Sequence, residues 1–429
     1  MLKDRYGLDV TTSSAAALDA YIDGVDRILS ANPGVEECLQ AALDADPGFA
    51  LAHSAMARQH QIYGRIPEAR AAAEEGAELA RNGTRREQQH AEIFRLLIGG
   101  RLPQSLDLTR KHIAEFPRDA FALAPATGVF GSIGFSGRVS REQEQVEMLE
   151  PLAGIYGDDW WFQMVRSFAL TEVGRWEEGR DLAEQCLAAK PDNPHGAHIL
   201  AHALYEAGAD AAATDYLETC LADLNPDGLM HCHIWWHYSL LKLHAGDFKA
   251  ANRAFLANCI PGKTTSPALN LYTDMTSYLW RSELAGHPRQ SDLWSVARTY
   301  GEEQFRRPIV FIEAHAALPL AALGDGPALA AMIDTLTELG NGGKLPAGTT
   351  GATLSRAYRA TVEKDWDAAI ALLEPVMGEV VRIGGSRAQR DLVTNTLLYC
   401  YAAAGRRDDA KAWLLRETDR QPNRPVAGL

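Results

Sequence analysis

The stretch "GRWEEG", residues 174–179, ends one apolar-periodic run and opens another, and it recurs in variants along the chain. "GRIPEA" begins at Gly64, "GRLPQS" at Gly100, "GADAAA" at Gly208, "GDFKAA" at Gly246, "KDWDAA" at Lys364 and "GRRDDA" at Gly405. Gly286 and Gly324 also end apolar helical runs. The spacings 64 to 100, 174 to 208, 208 to 246, 246 to 286 and 286 to 324 are 36, 34, 38, 40 and 38 residues. Each unit reads as an amphipathic helix, a glycine turn, and a second helix beginning two or three residues later. Pro191, Pro194 and Pro226 fall at unit ends, where a helix must stop.

A helix pair every 34 or so residues is the tetratricopeptide signature, here with later units slightly stretched. Strand patterns are nearly absent. The sequence therefore predicts an all-α, tetratricopeptide-like solenoid over residues 1–429, strongly curved around a central pocket. A chain of 429 residues is long for one globular core, and a repeat array accommodates that length. One segment departs from the repeat, "ELGNGGKLPAGTTGATL" at 338–354, which reads as a long loop able to lie over the groove as a lid.

Composition narrows the function classes. A hydrophobic content of 46% excludes wholesale disorder. A formal net charge of −14 argues against nucleic acid and anionic membranes as partners, since both need a basic face. No apolar stretch reaches the ~18 residues of a membrane-spanning helix. The nearest, "AFALAPATGVFGSIGF" at 120–135, is interrupted by Pro125, Gly128, Gly131 and Gly134 and reads as a buried helix. The N-terminus lacks the apolar core of a secretory signal. Six scattered cysteines form no CxxC pair, so a reducing cytoplasm is the expected compartment.

The turn glycine serves as a ruler, because such arrays present the first helix of each pair on their concave face. In "HGAHILAHALYE", His195, His198, His202 and Glu206 lie 13, 10, 6 and 2 residues before Gly208, in one stripe of a helix. In "HCHIWWH", His233, Trp236 and His237 lie 13, 10 and 9 before Gly246. Trp161 lies 13 before Gly174 and His90 lies 10 before Gly100. Polar and aromatic residues of successive units are thereby aimed at one hollow.

These residues resemble the tetratricopeptide repeat protein 38 family, nearly end to end. The resemblance rests on "TRREQQH" at 84–90, "HILAH" at 198–202, "CHIWWH" at 232–237, "EAH" at 313–315 and "GGSRAQRD" at 384–391. An acidic residue also stands at Asp274 where the family has one, while Glu313 replaces the family's Asp and Trp280 its expected tyrosine. His195 and Glu206 fall outside the family pattern. The resemblance implies a helical-repeat fold and a soluble single chain, and it carries no settled reaction.

Three readings of the chemistry stand side by side. Histidines four apart on each of two facing helices can share a divalent transition metal through His198, His202, His233 and His237, with Glu313, His315 or Asp274 adding a ligand or an acceptor behind one. Alternatively, His198, His202, His237 or His315 beside Glu313 or Asp274 can form a metal-free acid–base pair. Arg390 and Asp391 would then hold a polar group of a small-molecule substrate, in a pocket also lined by His90, Trp161, His233, Trp236 and Trp280. "HILAH" lacks the glutamate of an HExxH helix, and no GxSxG elbow occurs. The bland reading is that tryptophans fill helix interfaces and histidines are hydrogen-bonded core residues, as expected for His53, His60, His112, His244 and His287. The leading expectation is small-molecule chemistry, perhaps hydrolytic, by metal-assisted or His/carboxylate catalysis. The alternative is a scaffold that binds a peptide or partner protein in its groove.

Overall fold

The computed structural model describes residues 1–305, 309–417 and 426–429. After an antiparallel pair of two-residue strands, Leu2–Lys3 with Asp9–Val10, everything regular among the described residues is helical. Helices follow as pairs, among them Ala50–Ile62 with Ile66–Ala80, Trp160–Glu172 with Trp176–Ala189, Pro194–Glu206 with Asp210–Leu221, and His231–His244 with Phe248–Asn258. The all-α solenoid is therefore observed. The glycine ruler holds physically: Gly64, Gly100, Gly174, Gly208, Gly246, Gly286, Gly324 and Gly405 all have positive φ, as the left-handed turn between paired helices requires. Lys364 takes the same conformation at φ 62°, so the one unit without glycine keeps the turn at a steric cost.

Two expectations change. Residues 120–135 are not a buried helix: Ala120–Leu123 forms one turn, Ala124–Ala126 a 3₁₀ turn, and irregular backbone follows. Pro125 removes a donor, and Gly128 at φ +74° turns the chain left-handed. A side chain at Gly131 or Gly134 would meet backbone atoms at 2.2–2.3 Å, so the tight winding there depends on glycine. The predicted loop at 338–354 is also shorter, because helix Gly326–Asn341 runs into it and helix Thr350–Val362 begins inside it.

The solenoid curves until distant helices meet. Helix Ala15–Ser30 touches Pro194–Glu206, and Asn32 donates to the Asp192 carbonyl at 3.0 Å. Helix Arg387–Ala403 packs on both Pro194–Glu206 and Ala268–Leu284. Its start, "GGSRAQRD", is a clasp. Ser386 and Gln389 form a capping box, the Arg387 amide donates to Glu172 at 2.8 Å, and the Arg387 guanidinium pairs with Glu206 at 3.1 Å. Arg390 pairs with Glu142, and the Tyr205 hydroxyl donates to Asp391 at 2.7 Å. Gly385, at φ +74°, has no room for a side chain because a Cβ would stand 2.4 Å from the Phe311 ring.

Two large apolar cores result, one from residues 10–200 and one from residues 232–426. Ile199 and Leu200 belong to the first, while Cys232, Trp236 and Leu240 belong to the second. A third, smaller core joins the histidine-bearing helices, with Ala201 and Tyr205 of Pro194–Glu206 packed with Ile234 and Leu241 of His231–His244. No helix among the described residues is long and apolar enough to cross a membrane.

Candidate metal centre and cavity

Helix Pro194–Glu206 starts cleanly because Asn193 caps it, its Oδ1 accepting from the Gly196 amide at 2.9 Å. With the start fixed, His198 and His202 stand one turn apart on the face toward helix His231–His244, which returns His233 and His237. Ring centroids of His198 and His202 are 4.5 Å apart, those of His202 and His237 also 4.5 Å, and those of His198 and His233 4.8 Å. One ligand nitrogen from each of the four lies within 4.8 Å of the others, and all four residues are buried. Nitrogens bound to one tetrahedral ion at 2.0–2.1 Å stand about 3.4 Å apart, so the rings would have to draw together by up to about 1.4 Å to close a coordination shell.

Hydrogen bonding around these rings is uneven. Neither ring nitrogen of His198 has a protein partner among the described residues, nor does Nε2 of His237. Leaving a buried polar nitrogen unsatisfied costs about 1–3 kcal/mol, which an ordinary packed histidine avoids. His233 is different: its Nδ1–H donates to both Asp274 oxygens at 2.9 Å, which leaves Nε2 free to present a lone pair. Trp236 stacks on His233 with centroids 5.1 Å apart and holds that ring in plane. Burial, then the neighbouring imidazoles, pushes His198 and His237 well below the usual histidine range, so both are neutral donors. Burial raises the Asp274 carboxyl, and the His233 contact opposes it.

Beside this cluster lies a cavity of about 640 Å³, within the range of small-molecule sites. His198, His202 and His233 line it, as do Trp161 and Phe168, whereas His237 stands behind them. The irregular segment 127–132 forms another part of the wall, and residues 344–347 a further part. An ion among the four imidazoles would be reached from the cavity side.

The other residues singled out in the sequence fall elsewhere. His90 is in a separate buried network, its Nδ1 on Asp119 at 3.1 Å, with Arg86 and His112 on the same carboxylate. That pairing takes its ring out of the hollow, although the repeat offset pointed inward. Asp274 does not line the cavity and stands behind His233 as an acceptor, one of the two places the sequence allowed it. His315 turns its Nδ1–H to the Phe311 carbonyl at 2.7 Å, and Glu313 is half-buried near Tyr272, so neither faces the four-histidine cluster as a ligand. The Trp280 indole donates to Thr396 at 2.9 Å and braces helix Arg387–Ala403. Arg390 and Asp391 are engaged in the clasp and do not line the cavity. His112, read as structural, has both ring nitrogens bonded.

Some wall residues lie outside the set chosen as site residues. His195 lines the cavity although it lies outside the family pattern. So does Arg58, six residues before Gly64, the same offset at which His202 precedes Gly208. The ruler would have found it.

No family model matches this chain. Among solved structures it is similar to a human IFIT1 dimer with PPP-AAAA, at 13% identity and TM-score 0.40, covering 97% of both chains. It is also similar to the P58(IPK) TPR domain, at 15% identity and TM-score 0.21, covering 94% of this chain and 99% of that one. Yeast Tom70 aligns at 11% identity and TM-score 0.30, over 94% and 91% of the two chains. Likenesses at this level bear on neither the site nor its chemistry.

Proposed function

We propose that this chain is a tetratricopeptide-like member of the tetratricopeptide repeat protein 38 family, folded as a single superhelix. In this reading it holds one divalent transition-metal ion on His198, His202, His233 and His237, and transforms a small molecule in the adjoining cavity, most simply by hydrolysis. The observation that carries the reading is the convergence of four buried imidazoles, some with unpartnered nitrogens, on one point at a cavity wall. Four neutral ligands would leave the charge of the ion uncompensated, and a fifth position toward the cavity would let it polarise a carbonyl or lower the pKa of a bound water. Asp274 would fix the His233 tautomer and ring orientation from behind. Trp161 and Phe168 would hold the substrate body against the histidine wall, and residues 344–347 would cover the cavity as a lid.

A second reading has its own observation. His233 faces the cavity with Asp274 behind it on Nδ1, which is the geometry of an acid–base dyad without any metal. A panel of chromogenic esters and amides separates the two. Turnover that is lost on chelation, restored by added metal and absent in His202→Ala supports the metal centre. Turnover indifferent to chelation but lost in Asp274→Asn supports the dyad. No turnover, with peptides as the only molecules that bind, would make the protein a scaffold.

A further inference from the structure

The cavity has a charge pattern opposite to that of the chain. The protein carries 56 acidic and 42 basic residues, yet among the described residues no Asp or Glu lines the cavity, while Arg58, Lys344 and Arg382 do. Most of the remaining wall is apolar, with Leu97, Phe121, Val165, Phe168, Leu229 and Val310 contributing. Arg382 is already engaged, with Glu379 and with the Gly137 carbonyl at 2.9 Å. Lys344 is exposed at the rim.

Arg58 is the unusual member. Its guanidinium has five donors, and the partner found for it among the described residues is the Gln61 side-chain carbonyl at 2.8 Å. No carboxylate among the described residues pairs with it. Arg65, one repeat turn further on, pairs with Glu36, and Arg86 pairs with Asp4 and Asp119, so half-buried and buried arginines elsewhere in this half of the protein are neutralised. Burial without a counter-charge pushes Arg58 down to about 10, so it remains a cation at neutral pH. A guanidinium left unpaired beside an apolar cavity is a preformed fork for a planar anion.

We propose that the cavity takes an amphipathic anion, an aliphatic or aromatic carboxylic acid whose carboxylate sits on Arg58 and whose apolar body lies along the Phe121 to Phe168 wall. This names the substrate class of the site proposed above. It rests on that cavity being a ligand site, and not on the presence of metal. Electrostatics favours the choice, because a neutral ligand would leave Arg58 uncompensated and a cation would be repelled by it. An apolar body of this class also suits a wall that is mostly apolar outside the histidine end.

The test is calorimetric titration of decanoate and of decanol into the full chain, as purified and after chelation, in wild type, Arg58→Met and Arg58→Lys. Decanoate is expected to bind at least tenfold more tightly than decanol. Arg58→Met should erase that difference without weakening decanol, and Arg58→Lys should keep part of it. Equal affinities for the two probes in wild type, or no binding of either, would overturn the proposal whatever the variants do. Decanoate binding that vanishes on chelation, returns with zinc and ignores Arg58→Met would place the carboxylate on the metal, overturning this assignment while supporting the metal centre. Binding that depends on Arg58 in protein that takes up no metal would support the anion site and remove the metal reading.

Discussion

Asp274→Asn removes a charge from behind the candidate metal centre while leaving its four imidazoles in place. The Asp274 carboxylate accepts from His233 Nδ1–H at 2.9 Å. An ion on the far nitrogen of that ring would lie about 7 Å from the carboxylate, and at an effective dielectric of 20 the attraction to a divalent ion is bounded near 5 kcal/mol. Burial already raises the Asp274 carboxyl, so part of that attraction is offset by keeping the group ionised. The net effect should match other acceptors behind metal-bound histidines, a 10–100-fold loss of affinity, or roughly 1.4–2.7 kcal/mol. Metal-free protein should melt within about 1 kcal/mol of wild type, because asparagine Oδ1 can still accept from His233. Competition of zinc against a chelating indicator measures the affinity, and thermal unfolding of the chelated protein checks the fold. Affinity within twofold of wild type in a folded variant would refute the role given to Asp274.

Three further expectations follow from other contacts. His237→Ala should abolish stoichiometric metal binding, whereas His112→Ala, whose ring serves Asp119 and Gln89, should leave it intact in calorimetric titration. Burial, then the nearby Glu142, pushes Glu172 up to about 7 despite Arg390 and Arg141. Its folded value lies above its unfolded one, so its contribution to stability is full below about pH 4.5 and is lost as pH rises to about 7. Glu172→Gln should therefore melt above wild type at pH 8 and lose that advantage at pH 4.5, with a gain of at most about 3 kcal/mol. Gly385→Ala places a methyl against Phe311 at a positive φ and should destabilise by about 2 kcal/mol or more, seen as a lower urea midpoint.

The repeat was legible because its turns impose a backbone conformation that glycine takes most readily, and even Lys364 could be placed by the chemistry around it. The same ruler brought His198, His202, His233 and His237 together, since an offset from a fixed turn specifies a helix face. It failed at His90, where Asp119, twenty-nine residues on, captures the ring, a tertiary contact with no periodic signal. Arg390 and Asp391 looked like ligand-binding groups because mixed polar residues at a helix start suit a substrate as well as a clasp. Their partners, Glu142 and Tyr205, are distant in sequence, and only the closure of the superhelix brings them near. The segment 120–135 was misread from its apolar composition, although its glycines and Pro125 already argued against a helix.

The most direct test is the metal content of the full chain, measured by plasma mass spectrometry after expression in metal-supplemented medium, and again after chelation and reconstitution. Close to one transition-metal ion per chain is predicted for wild type, with none retained by folded His202→Ala. A folded wild-type protein that retains no ion, and shows no heat of binding for zinc, manganese, iron or nickel, would contradict the metal centre outright.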